Sequence, residues 1–164
     1  MLLRILELLF GRSRDRASKH SRRALNLPLE PTVTNAPALA ARIVQVTSSL
    51  DGVQRDYSAD SLKWVDARIL QFRRDGENFD SVGETIFLFG CYAGEVLVRT
   101  LGGSWAEPDD TERSVGFSMP GVRFAGGQFW NPIGKSIRLL ETGPTESLYQ
   151  LWLAARCGSS TSAA

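Results

Sequence analysis

Tyr92, Glu95 and Arg99 fall on one narrow polar strip of an otherwise apolar segment, one turn and then four residues apart. A carboxylate beside a phenol in that setting can serve as a proton-transfer pair or as a recognition point. The same spacing equally allows an intrahelical Glu95 to Arg99 ion pair, with Tyr92 bridging core and solvent. Further along, Gly134-Lys135-Ser136 ends a stretch from Gly126 in the manner of a phosphate-binding loop. The loop's spacing needs glycine where Phe129 stands, and the bulky Phe129-Trp130 pair would fill the cradle of backbone N–H groups, so no nucleotide cofactor is expected.

Other chemistries are excluded by residue type. The single histidine, His20, lies in the N-terminal stretch, so Ser-His-Asp, Cys-His and histidine-zinc sites are not expected in the body. Cys91 and Cys157 form neither a disulfide framework nor a metal-ligand spacing, which suits a reducing cytoplasm. Cys91 sits in an apolar helical pattern and is read as an inert packed thiol. Glu107, Asp109, Asp110 and Glu112 lack the spacing and the glycine of a calcium loop and are read as a solvated acidic loop, with no metal.

Charge is unevenly placed. Residues 1 to 23 hold seven Arg or Lys against Glu7 and Asp15, so this stretch is near +5 and the remainder near −4. An acidic body argues against specific nucleic-acid binding. Met1 to Phe10 is apolar with its positive charges behind it, the reverse of a secretory signal, and an amphipathic helix here could contact an anionic membrane weakly through residues 1–23. No segment reads as a membrane span.

The elements that must position these residues follow from spacing. A basic tail and Pro-containing linker is expected over residues 1–36, one α+β domain over 37–158 and a disordered C-terminal tail over 159–164. Leu39, Ile43, Val46 and Leu50 give a helix over about 37–50, stopped at Asp51-Gly52. Leu62, Val65, Ile69 and Phe72 give the next, capped by Ser58 or Asp60. Ser81 and Glu84 form an S-x-x-E capping box before a third helix over about 82–101, apolar over most of its circumference and therefore central. Within it, Gly90 and Gly94 each cost about 1 kcal/mol in helix propensity, which predicts close approach of another element. Gly102-Gly103 ends it.

After Trp105 the period changes. Val115, Phe117 and Met119 alternate, then Val122 and Phe124, then Phe129 and Trp130, with turns at Pro120-Gly121 and Gly126-Gly127, predicting a small antiparallel sheet with Trp105 on a further strand. Asn131-Pro132 opens a helix to about Glu141, and a last helix begins near Pro144. The fold class is α+β, helices around a small antiparallel sheet.

Three short motifs in this order resemble those of a family of small bacterial domains of unknown function. They are Tyr92-Ala93-Gly94-Glu95, Gly102-Gly103-Ser104-Trp105 and Asn131-Pro132-Ile133-Gly134-Lys135, and the resemblance covers roughly residues 57–157. The family places an aromatic where Ile133 stands. The resemblance implies an α+β domain and no particular activity. Four tryptophans are a surplus for so small a domain and either complete the core or anchor an interface. The expected function is a protein-binding module, immunity-type or regulatory, meeting another protein around Tyr92, Glu95, Trp105, Asn131 and Lys135. The alternatives are a metal-independent enzyme using Glu95 and Tyr92 in acid-base roles, and a peripheral membrane adaptor acting through the N-terminal tail.

Overall fold

A computed structural model describes residues 24–160; the expected membrane-contacting stretch 1–23, His20 and positions 161–164 lie outside the described residues. Six α-helices and three short strands follow in the order α1 (Ala36–Asp51), α2 (Ser61–Arg74), α3 (Phe79–Leu101), β1 (Ser104–Ala106), α4 (Asp110–Ser114), β2 (Gly121–Arg123), β3 (Phe129–Trp130), α5 (Pro132–Thr142) and, after a 3-10 turn, α6 (Leu148–Ser160). This is the α+β class, with α3 at its centre.

All of α3 from Val82 to Leu97 is buried, because α1, α5, α2 and α6 pack around it and β1 and β2 cover its C-terminal end. The helix is long and apolar enough to cross a membrane by length and composition, longer than the sequence reading allowed, yet 89% of that stretch is buried inside the fold. Its glycines explain the packing. A methyl group at Gly90 would lie 2.5 Å from Ile133 Cα, and one at Gly94 would lie 2.2 Å from the Trp105 ring. The propensity cost of both glycines therefore lets α5 and β1 sit directly on the helix backbone. Gly102 takes a left-handed φ of 76° and its N–H returns to Val98, closing α3 as expected.

The cap of α3 is a correction. The helix begins three residues earlier than expected, and the reciprocal box is Asn78 with Ser81, not Ser81 with Glu84. Glu84 is instead buried, 3% exposed, and accepts the backbone N–H of Asn26 at 3.1 Å. That bond brings residues 24–27, inside the stretch read as linker, against the body, where Leu25 and Leu27 pack on the core. Of the two caps considered for α2, Ser58 is the one used: its Oγ accepts from Ser61 N–H, whereas Asp60 makes no cap bond.

The sheet order is β1-β2-β3, antiparallel throughout, with Trp105 opposite Val122 and Val122 opposite Trp130. The acidic stretch between β1 and β2 is partly helical. Asp109 and Glu112 cap α4 reciprocally, and Glu112 also grips Arg123 with both carboxylate oxygens at 2.9 and 2.7 Å. Val115, Phe117 and Met119 form no strand: Val115 is the C-cap of α4, and Phe117 packs on Phe129 with ring centroids 5.7 Å apart. Asn131 caps α5 by accepting Gly134 N–H at 2.8 Å, with Pro132 as the first helical residue.

Candidate functional site

The strip on α3 is closed on itself. Glu95, 5% exposed, accepts the Trp105 indole N–H on Oε1 at 2.9 Å and the Arg99 Nε–H on Oε2 at 2.9 Å. Tyr92 does not reach solvent: it is 1% exposed, its hydroxyl accepts from Tyr57 N–H at 3.1 Å and donates to Ser61 Oγ at 2.7 Å. Burial raises the phenol above its ordinary pKa. Tyr57 holds φ 57°, a left-handed conformation that costs a bulky residue energy, and stacks on Tyr92 with centroids 4.9 Å apart. The Arg99 guanidinium then covers the outer face of Tyr57 at 3.7 Å from its centroid.

Lys135 belongs to a different cluster. Its ammonium lies 2.6 Å from Glu146 and holds that carboxyl below the ordinary value. Close by, Asp66 projects from the buried face of α2 and caps α6 from outside, accepting from Ser147 Oγ, from Leu148 N–H at 2.8 Å and from Tyr149 N–H at 3.3 Å. Burial raises the Asp66 pKa, opposed by those bonds and by the Lys135 charge. Asp66 interrupts an apolar stripe one residue after Val65, which is the signal that could have exposed it. Ser136, the last residue of the phosphate-loop likeness, is buried and donates to Ile86 and Ile133 carbonyls. The five residues expected to form one recognition surface therefore divide: Tyr92, Glu95 and Trp105 are joined directly or through Arg99 and Tyr57, Lys135 pairs across to Glu146, and Asn131 caps α5.

Two of the remaining tryptophans, Trp152 and Trp64, are engaged internally. Trp152 donates to Thr100 Oγ1 at 2.8 Å, and Trp64 meets Phe89 edge-on while Arg55 covers its face at 3.8 Å. Cys91 is buried and its thiol is pushed well above the ordinary range, by burial first and the Glu95 charge second. Among the described residues, no group of three His, Cys, Asp or Glu side chains is arranged to hold a metal.

Open surface lies elsewhere. A cleft of about 870 Å³ runs between α5, the 115–119 turn and the start of α3. Its apolar lining is Phe79, Phe117, Met119, Ile137 and Leu140 with the exposed Val115, and Asn131 also lines it. A second cleft of about 450 Å³, lined by Leu25, Leu27, Leu29 and Phe87, shares Ser118 and Met119 with it. Val115 is 71% exposed and Leu29 42%, so two of the three large hydrophobics exposed among the described residues flank these clefts. The rim is charged. Arg138 pairs with Glu146, whereas Glu77, Asp80 and Glu141 make no ion pair among the described residues, and neither does Arg73, which donates to the neutral Leu140 and Glu141 carbonyls and keeps its charge. Sequence reasoning missed this site because no single segment carries it.

No family model, curated protein or solved structure matches this chain.

Proposed function

We propose that this chain is a cytoplasmic protein-binding module that receives a short segment of a partner protein in the cleft between α5 and the 115–119 turn. The partner segment presents an apolar face flanked by basic residues. The observation that carries this reading is a cleft in which Phe79, Phe117, Met119 and Ile137 stand beside three carboxylates, Glu77, Asp80 and Glu141, that lack ion-pair partners among the described residues, against one lining cation, Arg73, that also lacks one. Apolar side chains supply affinity by leaving water, and the rim sets orientation and partner choice. On this reading Tyr92, Glu95 and Trp105 are the frame of the module, and Asn131 joins frame to cleft because it both caps α5 and lines the cleft. The enzymatic alternative has less support, since both oxygens of Glu95 and the hydroxyl of Tyr92 are committed to internal bonds.

The test is selection from a displayed peptide library, run on the full chain. Enriched peptides should combine apolar and basic residues, lose affinity with salt, and fail to bind Val115→Asp and Asp80→Lys variants that melt like the parent. Failure to enrich any peptide, or binding indifferent to both substitutions, would overturn the reading.

A further inference from the structure

We propose that residues 109–118 form a movable lid on this cleft, and that Arg123 and Glu112, which line neither cleft, latch it in the position that receives a partner segment; the inference rests on the cleft being a peptide-binding site. The chain that carries the lid leaves and rejoins the sheet at one place. Ala106 at the end of β1 pairs with Gly121 at the start of β2, so the residues between them make a closed loop of the Ω kind. Its two ends are fixed, because Pro108 and Pro120 are buried and Met119 packs on the core. Between Pro108 and Met119 no residue is buried, and α4 contributes none to the core. Yet Val115, Gly116, Phe117 and Ser118 from this stretch are one wall of the cleft.

What holds that wall is narrow. Only Glu112 and Phe117 among residues 109–118 are even partly shielded from water, and both are engaged through the same pair of strands. Glu112 takes Arg123 of β2 on both carboxylate oxygens, and Phe117 packs on Phe129 of β3, the residue opposite Arg123. The Arg123 guanidinium lies over the Phe129 ring at 5.0 Å and also donates to the Glu107 and Gly127 carbonyls, so one cation braces both attachments. Every other hydrogen bond of the lid among the described residues closes within 109–118. A segment with little buried surface and few outward bonds opens at a free energy well below that of the core. Releasing the latch therefore frees Val115 and Phe117 from the wall while the core stays folded. Apparent affinity for a partner segment falls with the fraction of molecules whose wall is in place, and a bound segment in turn holds the lid down. Arg123 and Glu112 are thus positioning residues, acting on the partner only through the lid.

The experiment compares the full chain with three variants: Glu112→Gln, which keeps an acceptor for the Asp109 N–H and loses the charge, Arg123→Met and Arg123→Lys. Read by hydrogen exchange on the free chains, the amides of Arg113, Val115, Gly116 and Phe117 should exchange at least about tenfold faster in Glu112→Gln and Arg123→Met, with those of α3 and α5 unchanged. A peptide selected on the parent should bind these two variants at least about tenfold more weakly, and Arg123→Lys with intermediate affinity. The same peptide bound to the parent should slow exchange over 109–118. Lid exchange that neither substitution alters would overturn the latch. Faster lid exchange with peptide affinity unchanged would overturn the lid's control while leaving the cleft as a peptide site. Faster exchange spreading through α3 and α5, with a lower melting temperature, would return Arg123 and Glu112 to the scaffold. Failure to select any peptide would remove the cleft reading itself, and this inference with it.

Discussion

The indole N–H of Trp105 donates to Glu95 Oε1 at 2.9 Å while the far edge of the same ring lies directly over Gly94. Glycine at 94 makes room for the ring, the ring brings its N–H to the buried carboxylate, and the carboxylate's other oxygen takes Arg99. Two of the short motifs, Tyr-x-Gly-Glu and Gly-Gly-x-Trp, are thus halves of one packing device that fixes β1 to the end of α3.

Because a methyl group at 94 would meet the Trp105 ring at 2.2 Å, Gly94→Ala must displace the indole and should cost about 1–3 kcal/mol. Trp105→Phe keeps a ring but leaves Glu95 Oε1 without its donor, at a similar cost of about 1–3 kcal/mol. Urea titration of the single and double variants gives the coupling. The double variant should lose clearly less than the sum, and costs that add within about 0.5 kcal/mol would show that the two residues act independently.

Lys135 should behave as scaffold. In Lys135→Met, the Glu146 and Asp66 carboxyls should both titrate higher than in the parent, read by carboxyl-carbon NMR, while the peptide affinity of the cleft stays unchanged. The two acids pull stability in opposite directions. Glu146 is held below its ordinary value, so its contribution is present at neutral pH and is lost as pH falls through the folded pKa; without Lys135 that acid-side loss shrinks. Asp66 is raised, so its contribution is present at low pH and falls as pH rises through the folded pKa; without Lys135 that fall deepens. Near neutrality the net cost should stay within about 1 kcal/mol, as for a partly exposed pair.

Residues 24–30 are expected to matter for stability. Leu25 and Phe79 both lie over Gly83, and Asn26 N–H reaches the buried Glu84. Deleting residues 1–30 should preserve one cooperative melting transition, because the α1 to α6 core is untouched, but at a lower temperature. Leu25→Ala alone should cost about 1–2 kcal/mol by lost burial. A melting temperature unchanged by both would show the segment does not hold to the body in solution.

The helices were legible because each carries its own periodicity and its own stop. Leu39 to Leu50, Leu62 to Phe72 and Val82 to Leu97 each bury one stripe or more, and the prediction that something approaches Gly90 and Gly94 is met by Ile133 and Trp105. Errors arose where a local pattern had two physical solutions. Ser81-x-x-Glu84 satisfies a capping motif, yet Glu84 faces inward nearly two turns past the true cap, Asn78, where it accepts from Asn26, a residue far away in sequence. Val115, Phe117 and Met119 alternate over just three apolar positions, too few to require a strand once the Asp109–Glu112 box winds the preceding residues into α4. Of the site, the Glu95–Arg99 pair was legible because i,i+4 geometry is local. The Glu146 partner of Lys135 lies beyond that range, and the cleft is assembled from three separated segments, so neither follows from spacing.

The central position of α3 has a chemical consequence at its cysteine. Cys91 is 0% exposed, and its thiolate is disfavoured by burial and by the neighbouring Glu95 charge, whereas Cys157 on α6 is exposed. Thiolate is the reactive form, so a disulfide reagent added to the native chain should modify one thiol per molecule rapidly, and peptide mapping should identify it as Cys157. Cys91 should react only through opening of the core, at least about a thousandfold more slowly, since core helices open at free energies approaching global stability. Its rate should therefore rise with urea along the slope of global unfolding, and Cys157→Ser should abolish the fast phase while leaving the slow one. If both thiols reacted at similar rates in native buffer, or if Cys91 reacted with no dependence on urea, α3 could not be the enclosed helix around which the other elements pack.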